Sequence, residues 1–184
     1  NGIIENYEEL KEALLREGHS FLSDTDTEVL AHLHERSYLL SSAPVLLEDA
    51  VLEGLRHVIG TFGIVVISSR DPEKLVVARR GSPIILGVGD GEYLVASDAS
   101  AIVSVTKNVV YLHDNEAAVL TPNKIEIFNL SKKILQKPVD KIDWDISQAQ
   151  KGGYAHFMQK EIFEGPSALE NVLRGRLLDG DGAA

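Results

Sequence analysis

Cysteine is absent from the 184 residues. That excludes disulfides, thiolate metal sites and a cysteine nucleophile within this stretch, and it fits a reducing compartment. Runs of basic residues are missing too. The nearest approach, Arg79-Arg80, is too short to follow a phosphate backbone, and the net charge is −10. Nucleic acid and anionic membrane are therefore not expected partners. Apolar runs stop after a handful of residues, which leaves neither a membrane span nor a secretory hydrophobic segment. What remains is ordinary globular material, 44% apolar and 25% charged, enough for one domain with a sizeable core plus a tail.

The first sixty residues read as helix. Tyr7, Leu10 and Leu14 fall at helical spacing, and Gly18 supplies a stop. A second helix is expected from about Asp26 to Tyr38, carrying Val29, Leu30 and Leu33 on one side. A capping box is read at its start, with Thr25 accepting from a free N–H and Glu28 reaching back. The third follows Pro44, with Leu47, Val51, Leu55 and Val58 on one face.

From Thr61 the period changes. GIVVISSR, KLVVARR, SPIILGVG, EYLVASD, IVSVTK, NVVYLHD, EAAVLT and KIEIFNL are short β-rich runs, separated by turn chemistry such as Asp71-Pro72 and Gly89-Asp90-Gly91. Gaps this short favour antiparallel pairing over βαβ crossovers. Runs such as IVVI and PIIL are apolar at consecutive positions, so their strands should be covered on both faces. After Pro138 two helical pieces are expected on either side of Gly165-Pro166, and the DGDGAA end reads as frayed. The reading is one α+β domain with a C-terminal helical extension.

Single motifs name no reaction. Asp24-Thr-Asp26-Thr-Glu28 alternates carboxylates but lacks the central glycine and distant glutamate of a calcium loop; acidic residues ahead of a helix complement its dipole. Glu28 and His32 are one turn apart with His34 nearby, and two residues do not make a zinc site, so no metal is expected. His19, His57, His113 and His156 are scattered. GVGDGEY lies between β-like runs and reads as a hairpin turn, since a phosphate cradle would be followed by a helix.

Taken in order, NGIIENYEEL, SDTDTEVLAHL, RRGSPIILGVG, YLVASDASAI and KGGYAHFMQKEIFEGPSALENVLRGRL resemble the glucosamine-6-phosphate synthase (glutamine–fructose-6-phosphate aminotransferase) family, whose glutaminase domain is a class II, N-terminal-nucleophile amidotransferase. The resemblance runs over nearly the whole chain. FMQKEIFE…RGRL is the discriminating piece, and it departs from the usual pattern at Gly165, where a glutamine is typical.

The resemblance implies a four-layer αββα sandwich of the N-terminal-nucleophile hydrolase type, incomplete at its N-terminus. Residues 1–150 would be the glutaminase domain and 151–184 a helical linker towards a sugar-isomerase domain. It implies hydrolysis of the glutamine side-chain amide by an N-terminal cysteine whose own α-amine is the base. Asn1 and Gly2 would form the oxyanion hole, Asn1 through its side-chain amide and Gly2 through its backbone N–H. Asp26, with Gly2, would hold the glutamine, Asp26 by its α-ammonium. The family's cysteine, the arginine that grips the substrate carboxylate and the closing loop all precede the Asn-Gly pair, so NGII is expected to begin in mid-domain. No metal or organic cofactor is implied. Fructose 6-phosphate would bind in the isomerase domain, and the longer protein is expected to be a cytoplasmic homo-oligomer. The rival readings are another class II enzyme, such as an amidophosphoribosyltransferase, and a non-enzymatic amino-acid-binding module.

Overall fold

A computed structural model describes residues 2–39, 45–143 and 152–173. The chain forms two compact units, Asn1–Ile142 and Asp143–Ala184. The first opens with strand β1 (Gly2–Ile4), then α1 (Tyr7–Arg16), α2 (Glu28–Leu39) and α3 (Leu47–Leu55). Strands β2 (Gly60–Ser68), β3 (Asp71–Arg80), β4 (Ile85–Val88) and β5 (Tyr93–Ala96) follow. A 3₁₀ turn (Ala99–Ala101) leads into β6 (Asn108–Tyr111), β7 (Glu116–Thr121), β8 (Lys124–Asn129), β9 (Ile134–Leu135) and β10 (Asp140–Lys141).

Among the described residues the named strands pair antiparallel and build two sheets. One has the order β1-β2-β3-β7-β8-β9, the other β10-β6-β4-β5. Alternation along the central strands divides their side chains between two cores. Val76, Ala78, Ala117, Val119 and Phe128 turn towards the helices and meet Leu14, Val29, Leu33, Val51 and Leu55. Val77, Ala118, Leu120 and Ile127 turn the other way and meet Leu86 and Val110 of the smaller sheet, with Ile84 just before β4 and Leu112 just after β6. The mixed α+β expectation holds. PIIL is covered on both faces, with Ile84, Ile85 and Leu86 all buried, but IVVI is not, because Val65 and Ile67 of β2 are exposed on the face away from the helices.

Several local expectations shift. IVSVTK is not a strand. Asp98 Oδ1 accepts from Ser100 N at 2.7 Å, and Val103 and Thr106 N–H groups bond back four residues to Ala99 and Ile102. Ile102, Val103 and Thr106 are buried while Val105 is exposed, a helical spacing that overrides β-branched propensity. Asp71-Pro72 opens β3 rather than making the turn, because Ser68 pairs directly with Asp71. Residues 2–4, read with the helical region, pair as an edge strand with Gly60–Phe62. The Gly89-Asp90-Gly91 turn stands where expected, with Gly89 N bonded to Glu92 O at 2.9 Å.

The second unit contains α4 (Phe157–Leu173), a single helix with Pro166 inside it instead of two pieces. A proline removes one i→i−4 bond and can leave its neighbours intact. The DGDGAA end lies outside the described residues.

Candidate site where the first strand meets the SDTDTE loop

Thr61 side-chain oxygen and backbone hold β1 in place. Ile3 N donates to Thr61 Oγ1 at 3.1 Å, and Glu5 N donates to Ile59 O at 2.9 Å. Asn6 then clamps the entry to α1: its side chain donates to His57 O and accepts from Ile59 N, both at 2.9 Å. Gly2 has φ +139°, and a Cβ there would stand 2.0 Å from Thr61 O. Only glycine lets the two backbones approach this closely.

Between the N–H groups of Ile3 and Glu5, which turn towards β2, that of Ile4 turns to the free edge. It donates to Asp26 Oδ2 at 2.8 Å. Asp26 therefore bonds to β1 and does not cap α2. Its other oxygen accepts from Thr27 Oγ1 at 3.2 Å. With one contact on each oxygen, the carboxylate retains acceptor capacity.

The capping box is rearranged as well. Glu28 does reach back, but to the N–H groups of Leu22 and Ser23 at 2.7 Å each, and to the Ser23 hydroxyl. Thr25 Oγ1 is engaged with Ser23 Oγ at 2.9 Å. The Ser23 hydroxyl first, then the Leu22 N–H, hold the Glu28 carboxyl down at about 2. Glu28 thus stays ionised and fixes the loop that carries Asp26.

Of the residues assigned from sequence, Gly2 and Asp26 lie on segments joined by the Ile4 bond, whereas Asn1 lies outside the described residues. Ile4 and Thr61 went unread because each works through a backbone or pairing contact that spacing does not reveal. Arg79 and Arg80 are spent internally. Arg79 bonds Leu112 O and pairs with Asp114; Arg80 bonds Val58 O and Asn115. Among the described residues no helix is long and apolar enough to cross a membrane.

Comparisons with known proteins bear on this geometry. The glutamine–fructose-6-phosphate aminotransferase (isomerizing) of Chlorobaculum tepidum is 51% identical over 177 residues, 96% of this chain and 29% of that protein. The enzymes of the same name from Methanosarcina mazei and Thermus thermophilus are 44% and 45% identical, over 100% and 99% of this chain and 30% and 29% of their own. The chain thus spans about three-tenths of the length of these relatives. Among solved structures, a glutamine PRPP amidotransferase from B. subtilis, complexed with ADP and GMP, matches with a TM-score of 0.61 and 26% identity over 73% of this chain and 29% of that one. A structure described as the allosteric regulatory enzyme of purine biosynthesis gives 0.59 and 27%, over 73% and 28%. A family described as a glutamine amidotransferase domain matches residues 1–104. With more than half of its residues so matched, the chain belongs to the glutamine amidotransferase domain family.

Proposed function

We propose that this chain is the glutamine-holding part of an aminotransferase that moves the amide nitrogen of glutamine onto fructose 6-phosphate, giving glucosamine 6-phosphate. The observation that carries the reading is the Asp26–Ile4 bond of 2.8 Å. It ties a carboxylate with spare acceptor capacity to the strand edge two residues beyond Gly2. Period-two alternation assigns the Gly2 N–H to the same edge as the Ile4 N–H. A glutamine lying along that edge would meet Asp26 with its α-ammonium and Gly2 with its reacting carbonyl. The thiol that attacks that carbonyl, and the α-amine that takes its proton, would come from outside these cysteine-free residues. Asn1 would add its side-chain amide to the Gly2 donor, so that both face the oxygen as negative charge develops on it.

The same reading takes the fold as a four-layer αββα sandwich. On that reading the turns at 98–106 would supply the fourth layer, and the approach of Ile102 and Thr106 to Gly87 of β4 supports it. It takes the C-terminal helix as leading towards a sugar-isomerase domain. The amidophosphoribosyltransferase alternative is weaker, because identities of 26–27% to those structures compare with 43–51% to the aminotransferases.

The 184 residues alone should release no glutamate from glutamine, since they offer no thiol. The decisive variant is Asp26→Asn in the longer enzyme. Asn keeps an oxygen for Ile4 N but loses the charge, and a hydrogen bond between charged groups is worth about 1.5–3 kcal/mol. The glutamine KM should rise roughly ten- to a hundredfold, with the fructose 6-phosphate KM and Tm little changed. An unaltered glutamine KM would remove Asp26 from the site.

A further inference from the structure

Three titratable side chains that play no part in the proposed glutamine site converge between the end of α1 and the outer face of α2. His19 follows the α1 stop at Gly18, while His32 and Glu35 are three apart on α2 and share a face. His19 Nδ1 and His32 Nδ1 are 3.2 Å apart. Glu35 Oε2 lies 3.6 Å from the first and 3.8 Å from the second. The same three atoms form all three edges of this triangle. Its centre is about 2.1 Å from each of them, a zinc–nitrogen bond length.

We propose that His19, His32 and Glu35 bind a divalent transition ion of the zinc type, with the fourth position open to water. A proton on one ring nitrogen would serve the edges that nitrogen shares and leave the opposite edge acceptor against acceptor; a cation satisfies all three. The surroundings agree. Both imidazole side chains are only 17% exposed, whereas Glu35 is 54% exposed, which gives an entry path and room for a water ligand. His32 Nε2 is buried without a hydrogen-bond partner, and Glu28 Oε1 is 3.6 Å away. If Nδ1 holds the ion, Nε2 must carry the hydrogen, and it then faces a carboxylate, the usual outer partner of a metal-bound histidine. Two nitrogen donors and one oxygen suit zinc and disfavour calcium or magnesium, which want oxygen throughout.

Occupancy would staple α1 to α2 across residues 20–31. That segment includes the loop held by Glu28 and the Asp26 that meets β1. The role is structural, and it stands independently of the glutamine reading.

The test uses the untagged 184-residue chain, stripped with chelator and titrated with zinc chloride, then magnesium chloride, by calorimetry and thermal melting. One zinc per chain at micromolar affinity or better is expected, with Tm raised about 5–10 °C at a hundredfold excess over Kd and no response to magnesium. His19→Gln and Glu35→Gln should each weaken zinc binding at least tenfold. Because Glu35 is half exposed, its variant should fold as wild type does. Absence of saturable zinc binding by the wild-type chain, or unchanged affinity in both variants, would overturn the proposal.

Discussion

The six-stranded sheet has a middle and a flank that behave differently. In the middle, β3, β7 and β8 are sealed on both faces: Val76, Val77, Ala117 and Ala118 are each 0% exposed. On the flank, β1 and β2 are sealed only towards the helices. Phe62 and Ile4 are buried there, while Ile3, Val65 and Ile67 on the opposite face are 67%, 48% and 74% exposed. The strands carry the same kind of side chains, and what differs is whether the second sheet stands opposite. Gly2 and the Ile4 N–H that meets Asp26 lie on this open flank.

The largest effect should come from the core through which the smaller sheet seals the second face of that middle. Leu86→Ala, at a fully buried position between the sheets, should cost about 2–5 kcal/mol, read as a lower denaturation midpoint with an unchanged slope.

The helix side of the flank is tight enough to hold a neutral histidine. His34 on α2 is 6% exposed and neither ring nitrogen has a partner; burial drives its pKa down to about 4. Since the unfolded chain binds that proton more readily, stability should fall as pH drops from about 6.5 to about 4. The full difference is about 3 kcal/mol. His34→Leu should flatten this acid limb and leave neutral-pH stability equal or higher, because two orphan polar atoms disappear. A pH series of denaturant melts would show it, and an acid limb unchanged in the variant would place the responsible group elsewhere.

Gly2→Ala should be felt next. Strain at a φ of +139° costs about 1–3 kcal/mol, and the contact with Thr61 O should loosen β1 from β2. Hydrogen exchange at Ile3 and Ile4 should then accelerate while β7 and β8 stay protected. Retained protection at Ile3 would mean that β1 tolerates the side chain. The smallest effect is expected on the open face: Val65→Thr and Ile67→Thr should each stay within about 0.5 kcal/mol. A loss of 2 kcal/mol at either would show that this face is covered in solution.

Some of this was legible in the residues themselves. Leu10 and Leu14, Val29 and Leu33, and Val51 and Leu55 lie at helical spacing, and all pack in the helix-side core. EAAVLT and KIEIFN pair as β7 and β8 because a two-residue turn leaves them no other neighbour as near. The NGII and SDTDTE stretches pointed to the class II amidotransferases, and the match to a glutamine amidotransferase domain over residues 1–104 agrees with that reading. Periodicity and turn chemistry act over a few residues, so a linear string records them.

Only tertiary structure decided the rest. Asp26 was a cap on local logic, yet its acceptor is claimed by Ile4, 22 residues away. IVSVTK was a strand by composition until Asp98 and the outer face of β4 drew Ile102 and Thr106 into helical turns. His19 and His32, separated by 13 positions, become neighbours because α1 and α2 pack side by side. Each outcome depends on which group faces a given side chain once distant segments meet, a quantity set by burial and pairing across the whole unit rather than by any local window of residues.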